Sequence, residues 1–279
     1  MKATSFLLRG LIGVGVSLAG MTYGRCIEGS GERISCPEAV AHRAGGIEVG
    51  EPEHSRAALD RAVADGVSVI ELDLQASSDG VPFLVHGKHL KQHQYILPSG
   101  VARVKVENLS AQELRDVCHR ASPSNCLIDA SEGFAALKTS RADLLIDPKE
   151  SNGSSPIQAA LQLAERAGVR DRLIVLCSPA HECSGISKRV RLMFRISTAE
   201  EVRTVLPFKP YAVQVDEELL DSPEVATARA RGVRLMVKTL DELGDDPEHW
   251  GELQKKGVDL ILTDFPRLLG QSICREYRE

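Results

Sequence analysis

Eight short apolar runs recur between residues 38 and 266, and most are followed by an amphipathic stretch of helical period. The runs are EAVAHRAG, VSVIELDL, ADLLIDPK, RLIVLCS, VRLMFRIS, YAVQVDEE, VRLMVKTL and VDLILTDFP. Between them lie SRAALDRAVADG, PIQAALQLAERAG, AEEVRTVLPF, PEVATARARG and HWGELQKKG, four of which close on a glycine at the expected helix stop: Gly66, Gly168, Gly232 and Gly257. Strand and helix alternating eight times over some 230 residues is the plan of an α/β protein of the (β/α)8 barrel type. An open doubly wound sheet has little support, because no glycine-rich phosphate loop follows the first run. One connection is long. Between His86 and Asp143 runs a polar, histidine-rich insertion, in which Ser110 and Glu113 form the capping-box pattern of a short helix. It follows an expected hairpin after the second strand, and an insertion of that length is expected to cover part of the site.

A barrel of this kind carries its chemistry at the C-terminal ends of its strands. The polar residues there form a set. His42 and Arg43 end the first run, and Lys238 ends the seventh. In the second run Glu71 and Asp73 are two apart, so both point to one face of the strand, as do Asp147 and Lys149 in the third. Asp79-Gly80 is a good two-residue hairpin turn, and that loop would set His86 directly opposite Asp73. One extra loop residue would turn His86 away.

Three carboxylates in one mouth, Glu71, Asp73 and Asp147, need a counter-charge or raised pKa values. One hard divalent cation, Mg²⁺ or Ca²⁺, answers that need with all-oxygen ligation. Cations left over beside it, Arg43, Lys149 and Lys238, suit a phosphate, and two flanking histidines, His42 and His86, suit general acid and base roles. The residues alone thus reach metal-assisted phosphoester hydrolysis. The plainer reading is a structural ion network in which Arg43 and Lys149 neutralise Glu71 and Asp73. His54, His89, His93, His119, His181 and His249 read as surface or loop residues, and Asp216, Glu217 and Glu218 as a solvated acidic turn.

Formal net charge is -5 and aromatics make up only 4% of the 279 residues, which argues against a nucleic-acid partner. Lys2 and Arg9 precede a short apolar run, Leu11 to Met21, with small residues after it. That pattern reads as a signal peptide over residues 1–25 and predicts export; the run is too short for a stable transmembrane segment. The barrel is then expected over 36–270 and a C-terminal tail over 271–279. Of seven cysteines, the close pairs Cys118/Cys126 and Cys177/Cys183 are candidates for loop disulfides in an exported protein. Nothing in the sequence sets an oligomeric state.

The same residues resemble the glycerophosphodiester phosphodiesterase family. Its His-Arg-Gly, Pro-Glu-Asn-Thr, Glu-x-Asp, Asp-Gly and His-Asp motifs look like His42-Arg43-Ala44, Pro52-Glu53-His54-Ser55, Glu71-Leu72-Asp73, Asp79-Gly80 and His86-Gly87. Asp147-Pro148-Lys149 stands where the family has Glu-Ile-Lys, and GVDLILTDFP is similar to its last strand. The resemblance implies a barrel that hydrolyses glycerophosphodiesters to an alcohol and glycerol 3-phosphate. Glu71, Asp73 and Asp147 would hold the metal, His42 and His86 would be the acid–base pair, Arg43 and Lys149 would hold the phosphate, and Glu53 would stand behind them. A hydroxyl of the substrate's own glycerol is the attacking group implied, giving a cyclic intermediate. Departures from the pattern bear on head-group preference. Ala44 for glycine would narrow the approach to the phosphate, Asp147 reaches one methylene less far than glutamate, and Gly87 removes whatever oriented the His86 loop. Sphingomyelinase D enzymes are similar barrels and supply the alternative, a phospholipase D-type reaction on lysolipid or sphingolipid phosphodiesters. A secreted barrel that binds a phosphodiester without turning it over is the non-enzymatic alternative.

Overall fold

A computed structural model describes residues 36–149, 156–177, 186, 190–240 and 244–273. The expected signal peptide, Cys183 and His181 lie outside those residues. Eight parallel strands close into a barrel: β1 (Glu38–Ala41), β2 (Val69–Ala76), β3 (Asp143–Pro148), β4 (Leu173–Cys177), β5 (Arg191–Ile196), β6 (Ala212–Val215), β7 (Arg234–Lys238) and β8 (Leu260–Thr263). Each pairs with the next in sequence, and β1 pairs with both β2 and β8, so no parallel edge is left open.

Strand periodicity decides what faces inward. Val40, Val69, Leu145, Ile174, Leu176, Met193, Ala212, Met236, Leu260 and Leu262 form one buried cluster, the filling of the barrel. Their neighbours of opposite parity, such as Ile70, Leu72, Leu144, Val175, Phe194, Val213, Leu235 and Ile261, belong to a second cluster shared with the helices. Each fully buried leucine or isoleucine contributes about 1.5–3 kcal/mol of transfer free energy, so the two-sided burial fixes the register of every strand.

The outer helices are α1 (Arg56–Ala64), α2 (Ala130–Leu137), α3 (Ile157–Ala167), α4 (Ala199–Val205), α5 (Pro223–Ala230), α6 (Pro247–Lys255) and α7 (Pro266–Ser272). Local chemistry starts and stops them. The side chains of Ser55, Asp129, Thr198, Ser222 and Asp246 accept bonds from first-turn N–H groups. The four expected stop glycines take left-handed φ between 71° and 79°. Helix α7 continues past residue 270, and Ile273 after it is buried. Among the described residues no helix is long and apolar enough to cross a membrane.

The hairpin after β2 differs from the expectation. Its return strand, Pro82–Leu84, pairs Leu74 with Leu84 and Ala76 with Pro82. The loop is therefore three residues, Ser78 to Gly80, not two. Gly80 has φ 81°, the Ser77 hydroxyl donates to Asp79 and accepts from the Val81 N–H, and these bonds fix the extra residue. Asp73 then faces Val85, whose N–H donates to the Asp73 carbonyl, and not His86. Beyond it, the insertion folds on its own small core of Leu90, Val106, Leu114, Val117 and Leu127 packed on Phe83 and Val85. Two short ladders, the Ala111–Arg115 helix with its reciprocal Ser110/Glu113 cap, and a Cys118–Cys126 disulfide hold it. Cys177 is also disulfide-bonded.

Candidate active site

The inward parity that fills the barrel below turns polar at its mouth. Glu71 and Asp73 on β2, Asp147 and Lys149 after it on β3, Arg195 on β5, Gln214 on β6 and Lys238 on β7 all line one cavity of about 490 Å³. His42, Arg43, Glu53, His86, Asp216 and Asp264 complete its walls. Every residue expected to bear chemistry reaches this one cavity.

The acidic side is crowded. Glu71, Asp73 and Asp147 are 3%, 2% and 8% exposed, and each has a carboxylate oxygen within 4.8 Å of the others. Burial, and then repulsion from Asp73, pushes the Glu71 carboxyl well above its ordinary pKa, against the Arg43 backbone N–H that donates to it at 2.8 Å. Burial also opposes ionisation of Asp73, but His54 and Lys149 outweigh it and hold that carboxyl well below the carboxylate range. Lys149 Nζ lies 2.7 Å from Asp73 and 2.5 Å from Asp147, and Arg195 donates to Asp147 at 3.0 Å. Asp147, short as it is, still joins the cluster.

This donor set fits a hard divalent cation. Oxygens on opposite sides of a Ca²⁺ ion stand about 5 Å apart at most, which matches the spread of the three carboxylates. A cation there would also offset the burial and the repulsion from Asp73 that keep Glu71 from ionising. The cluster is thus a site able to hold one divalent ion, and Arg43 and Lys149 already neutralise part of its charge.

His42 stands at the end of β1, its Nδ1 2.7 Å from Asp264 Oδ1. The Asp264 backbone N–H donates to Asp245, which also accepts from the Thr239 hydroxyl, itself bonded by the Trp250 indole. His86 reaches the cavity from the far end of the hairpin rather than by pairing with Asp73. Gln75, buried on β2, donates to the His86 carbonyl at 3.0 Å, so the loop keeps an anchor despite Gly87. Desolvation lowers the His86 pKa below that of ordinary histidine, Asp73 opposes this, and Arg43 and Lys149 reinforce it.

Three expectations are corrected here. His54 is not a surface residue: it is 3% exposed, held at φ 58°, and its Nε2 lies 3.0 Å from Asp73. His119 is buried within the insertion, its ring 5.0 Å from that of Tyr95. Ala44 does not narrow the mouth; left-handed at φ 64°, it buries its methyl group in the core shared with the helices. Arg43 is also more engaged than a free phosphate ligand, with Nη1 donating to both Glu53 oxygens at 2.8 and 2.9 Å and Nε 3.4 Å from Asp73. Sequence reasoning missed Arg195, Gln214 and Gln75. Their signal was available: Arg195 and Gln214 are polar residues at inward positions of their strands, and Gln75 continues the inward set of Glu71 and Asp73.

A parallel barrel with a carboxylate cluster and two histidines at its C-terminal mouth is suited to phosphoester chemistry. A model of the glycerophosphoryl diester phosphodiesterase family matches residues 42–268, and the chain belongs to that family. Among curated proteins it is 44% identical over 55 residues to rat glycerophosphodiester phosphodiesterase 1, a match covering 20% of this chain and 15% of that protein. It is 41% identical over 56 residues to human glycerophosphoinositol inositolphosphodiesterase GDPD2, of which it covers 10%. The chain thus spans a small part of the length of these relatives. Among solved structures, a glycerophosphodiester phosphodiesterase from Agrobacterium tumefaciens superposes with TM-score 0.68 at 22% identity, covering 84% of this chain and 99% of that one. An Oleispira antarctica phosphodiesterase in complex with sn-glycerol-3-phosphate gives TM-score 0.71 at 17% identity, covering 85% and 97%. These likenesses show the same barrel.

Proposed function

We propose that this chain is a metal-dependent phosphodiesterase that hydrolyses glycerophosphodiesters to an alcohol and glycerol 3-phosphate. The observation that carries the proposal is the buried Glu71–Asp73–Asp147 cluster sharing one cavity with His42 and His86. Membership of the family supports it, as does the product bound to the Oleispira relative. Glu71, Asp73 and Asp147 would hold one Mg²⁺ or Ca²⁺ ion, and that ion, when bound, would polarise a phosphoryl oxygen and offset the charge that builds there.

Each side chain then has a task. Lys149 and Arg43 face the phosphate from beside the carboxylates, with Glu53 holding Arg43 in place. Lys238, exposed and without an ion pair among the described residues, adds positive charge to the same cavity. His86, with its pKa lowered, is neutral near pH 7 and suits the base that takes the proton from the attacking hydroxyl. His42 points Nδ1 at Asp264, which fixes the ring. Its Nε2 suits the acid that hands a proton to the leaving alkoxide as the phosphorus–oxygen bond breaks.

Export is part of the proposal. It rests on the residue 1–25 pattern and on the Cys118–Cys126 disulfide, a bond that persists in oxidising compartments. The test is release of glycerol 3-phosphate from glycerophosphodiesters with Ca²⁺, Mg²⁺ or chelator, by the native chain and by His42→Ala. Release that needs both metal and His42 is expected. No release under any metal would sink the proposal and turn attention to lysolipid or sphingolipid phosphodiesters, and then to a non-catalytic binding barrel.

A further inference from the structure

The insertion carries a charge pattern that the reaction does not use. Residues 86–106 hold four cations, Lys88, Lys91, Arg103 and Lys105, and no acidic residue, in a chain of net charge -5. Two short strands there, His89–Lys91 and Arg103–Lys105, pair antiparallel, with His89 opposite Lys105 and Lys91 opposite Arg103. Opposed residues, and residues two apart, share a face, so these four stand on one side of the ladder. Leu90 and Val104 take the other side and pack in the small core of the insertion. Lys91, Arg103 and Lys105 are exposed. Lys105 bonds Glu107 at 3.0 Å, and Arg103 Nη2 meets His89 Nδ1 at 3.0 Å. No acid pairs with Lys88, Lys91 or Arg103 among the described residues. Like charges directly opposite each other destabilise a ladder, and an anionic surface laid on this face would remove that repulsion.

The loop that joins the two strands says which anion fits. Residues 92–102 contain no Lys, Arg, Asp or Glu, and Ile96 among them is 43% exposed. A cationic stem with an exposed apolar residue in its loop matches the boundary of an anionic bilayer, where charged headgroups lie directly over acyl chain. A nucleic-acid backbone gives an exposed isoleucine nothing to bury against, and Tyr95, the one aromatic residue of 86–106, is packed on the core of the insertion. The ladder also lies beside the cavity. His89 is three residues from cavity-lining His86, at most about 11 Å along an extended chain. Ile47, on the cavity wall, is itself 49% exposed, so the mouth too presents apolar surface.

We propose that the face of Lys91, Arg103 and Lys105, with Ile96 in its loop, docks this chain on an anionic phospholipid surface and sets the cavity beside the bilayer. Docking goes beyond the phosphodiesterase reading and is read by binding alone, so either can fail without the other. The test is co-sedimentation of the full chain with vesicles of phosphatidylcholine alone and of phosphatidylcholine mixed with phosphatidylserine, at about 0.01 M and about 0.15 M salt. The native chain is expected to bind the mixed vesicles and not the neutral ones, more weakly at the higher salt. Lys91→Gln with Arg103→Gln should lower that affinity about tenfold or more, the scale set by two cations at such a surface. The double variant removes two opposed like charges from exposed positions, so the ladder keeps its fold, checked by an unchanged urea midpoint. Ile96→Ser should lower the affinity about threefold or more while keeping the salt dependence. No binding to the mixed vesicles, equal binding to the neutral ones, or variants that bind as the native chain does would overturn the proposal. Duplex DNA bound as tightly as the mixed vesicles, with Ile96→Ser affecting neither, would assign the face to another polyanion and overturn it equally.

Discussion

The two sides of the barrel mouth are built differently from the same parity rule. On β2 and β3, buried Asp73 and Asp147 are locked to Arg43, His54, Lys149 and Arg195 by contacts of 2.5 to 3.4 Å, and buried Glu71 accepts from the Arg43 backbone N–H. On β6 and β7, among the described residues, Gln214 has an amide oxygen without a partner and Lys238 a charge without an ion pair. The first wall is coherent only as a set, because removing one member strands a buried charge. The second has few internal ties, so it can vary without disturbing the first.

Breaking the acidic wall should have the largest effect. Asp73→Asn is expected to lower metal-dependent turnover about a thousandfold or more, the several kcal/mol a bound cation supplies, with circular dichroism unchanged. Stability measured by urea unfolding in chelator should separate the walls next. Lys149→Met strands Asp73 and Asp147 and should cost about 3 kcal/mol, whereas Lys238→Met should stay within about 0.5 kcal/mol. Equal losses would mean that the two walls are not built differently.

A smaller effect is expected at the edge between them. Asp264→Asn keeps the shape beside His42 but gives it no charged acceptor, and should lower kcat about tenfold to a hundredfold with KM little changed. A shifted pH–rate profile would separate this from simple loosening. The smallest effect lies outside both walls. Burial lowers the His119 pKa from 6.5 to about 4, with help from His54. Between those values the unfolded chain takes up a proton that the folded chain refuses, so stability falls as pH drops from 6.5 to about 4. His119→Gln should flatten that slope, measured as the urea midpoint against pH, and leave turnover in place.

How much of this was legible in the sequence follows physical lines. Period-two alternation is local, so all eight strands, the Glu71/Asp73 and Asp147/Lys149 faces and the helix stops could be read directly. Cavity residues Arg195 and Gln214 obey the same rule; each is spaced from its polar neighbour, Arg191 and Asp216, without the opposed carboxylates or carboxylate–lysine pair that mark β2 and β3. Long-range geometry was hidden. His86 was assigned the right place for the wrong reason: a third loop residue slipped the hairpin register, and the bond from Gln75 set the loop instead. His54 reads as an exposed loop residue until the left-handed turn at 54 folds it under Asp73. His119 reads likewise until the insertion closes around it, and no local pattern foretells that core.

The most direct test is calorimetric titration of Ca²⁺ and Mg²⁺ into the chelator-stripped chain at about pH 6 and about pH 8, with Asp73→Asn beside it. Glu71, its pKa raised by burial and by Asp73, must give up its proton to become a ligand. The expected result is one ion per chain, bound more tightly at the higher pH with release of a proton, and no binding to Asp73→Asn. A native chain that takes up neither ion, or binding that survives Asp73→Asn unchanged, would contradict the assignment of the acidic wall as the metal site.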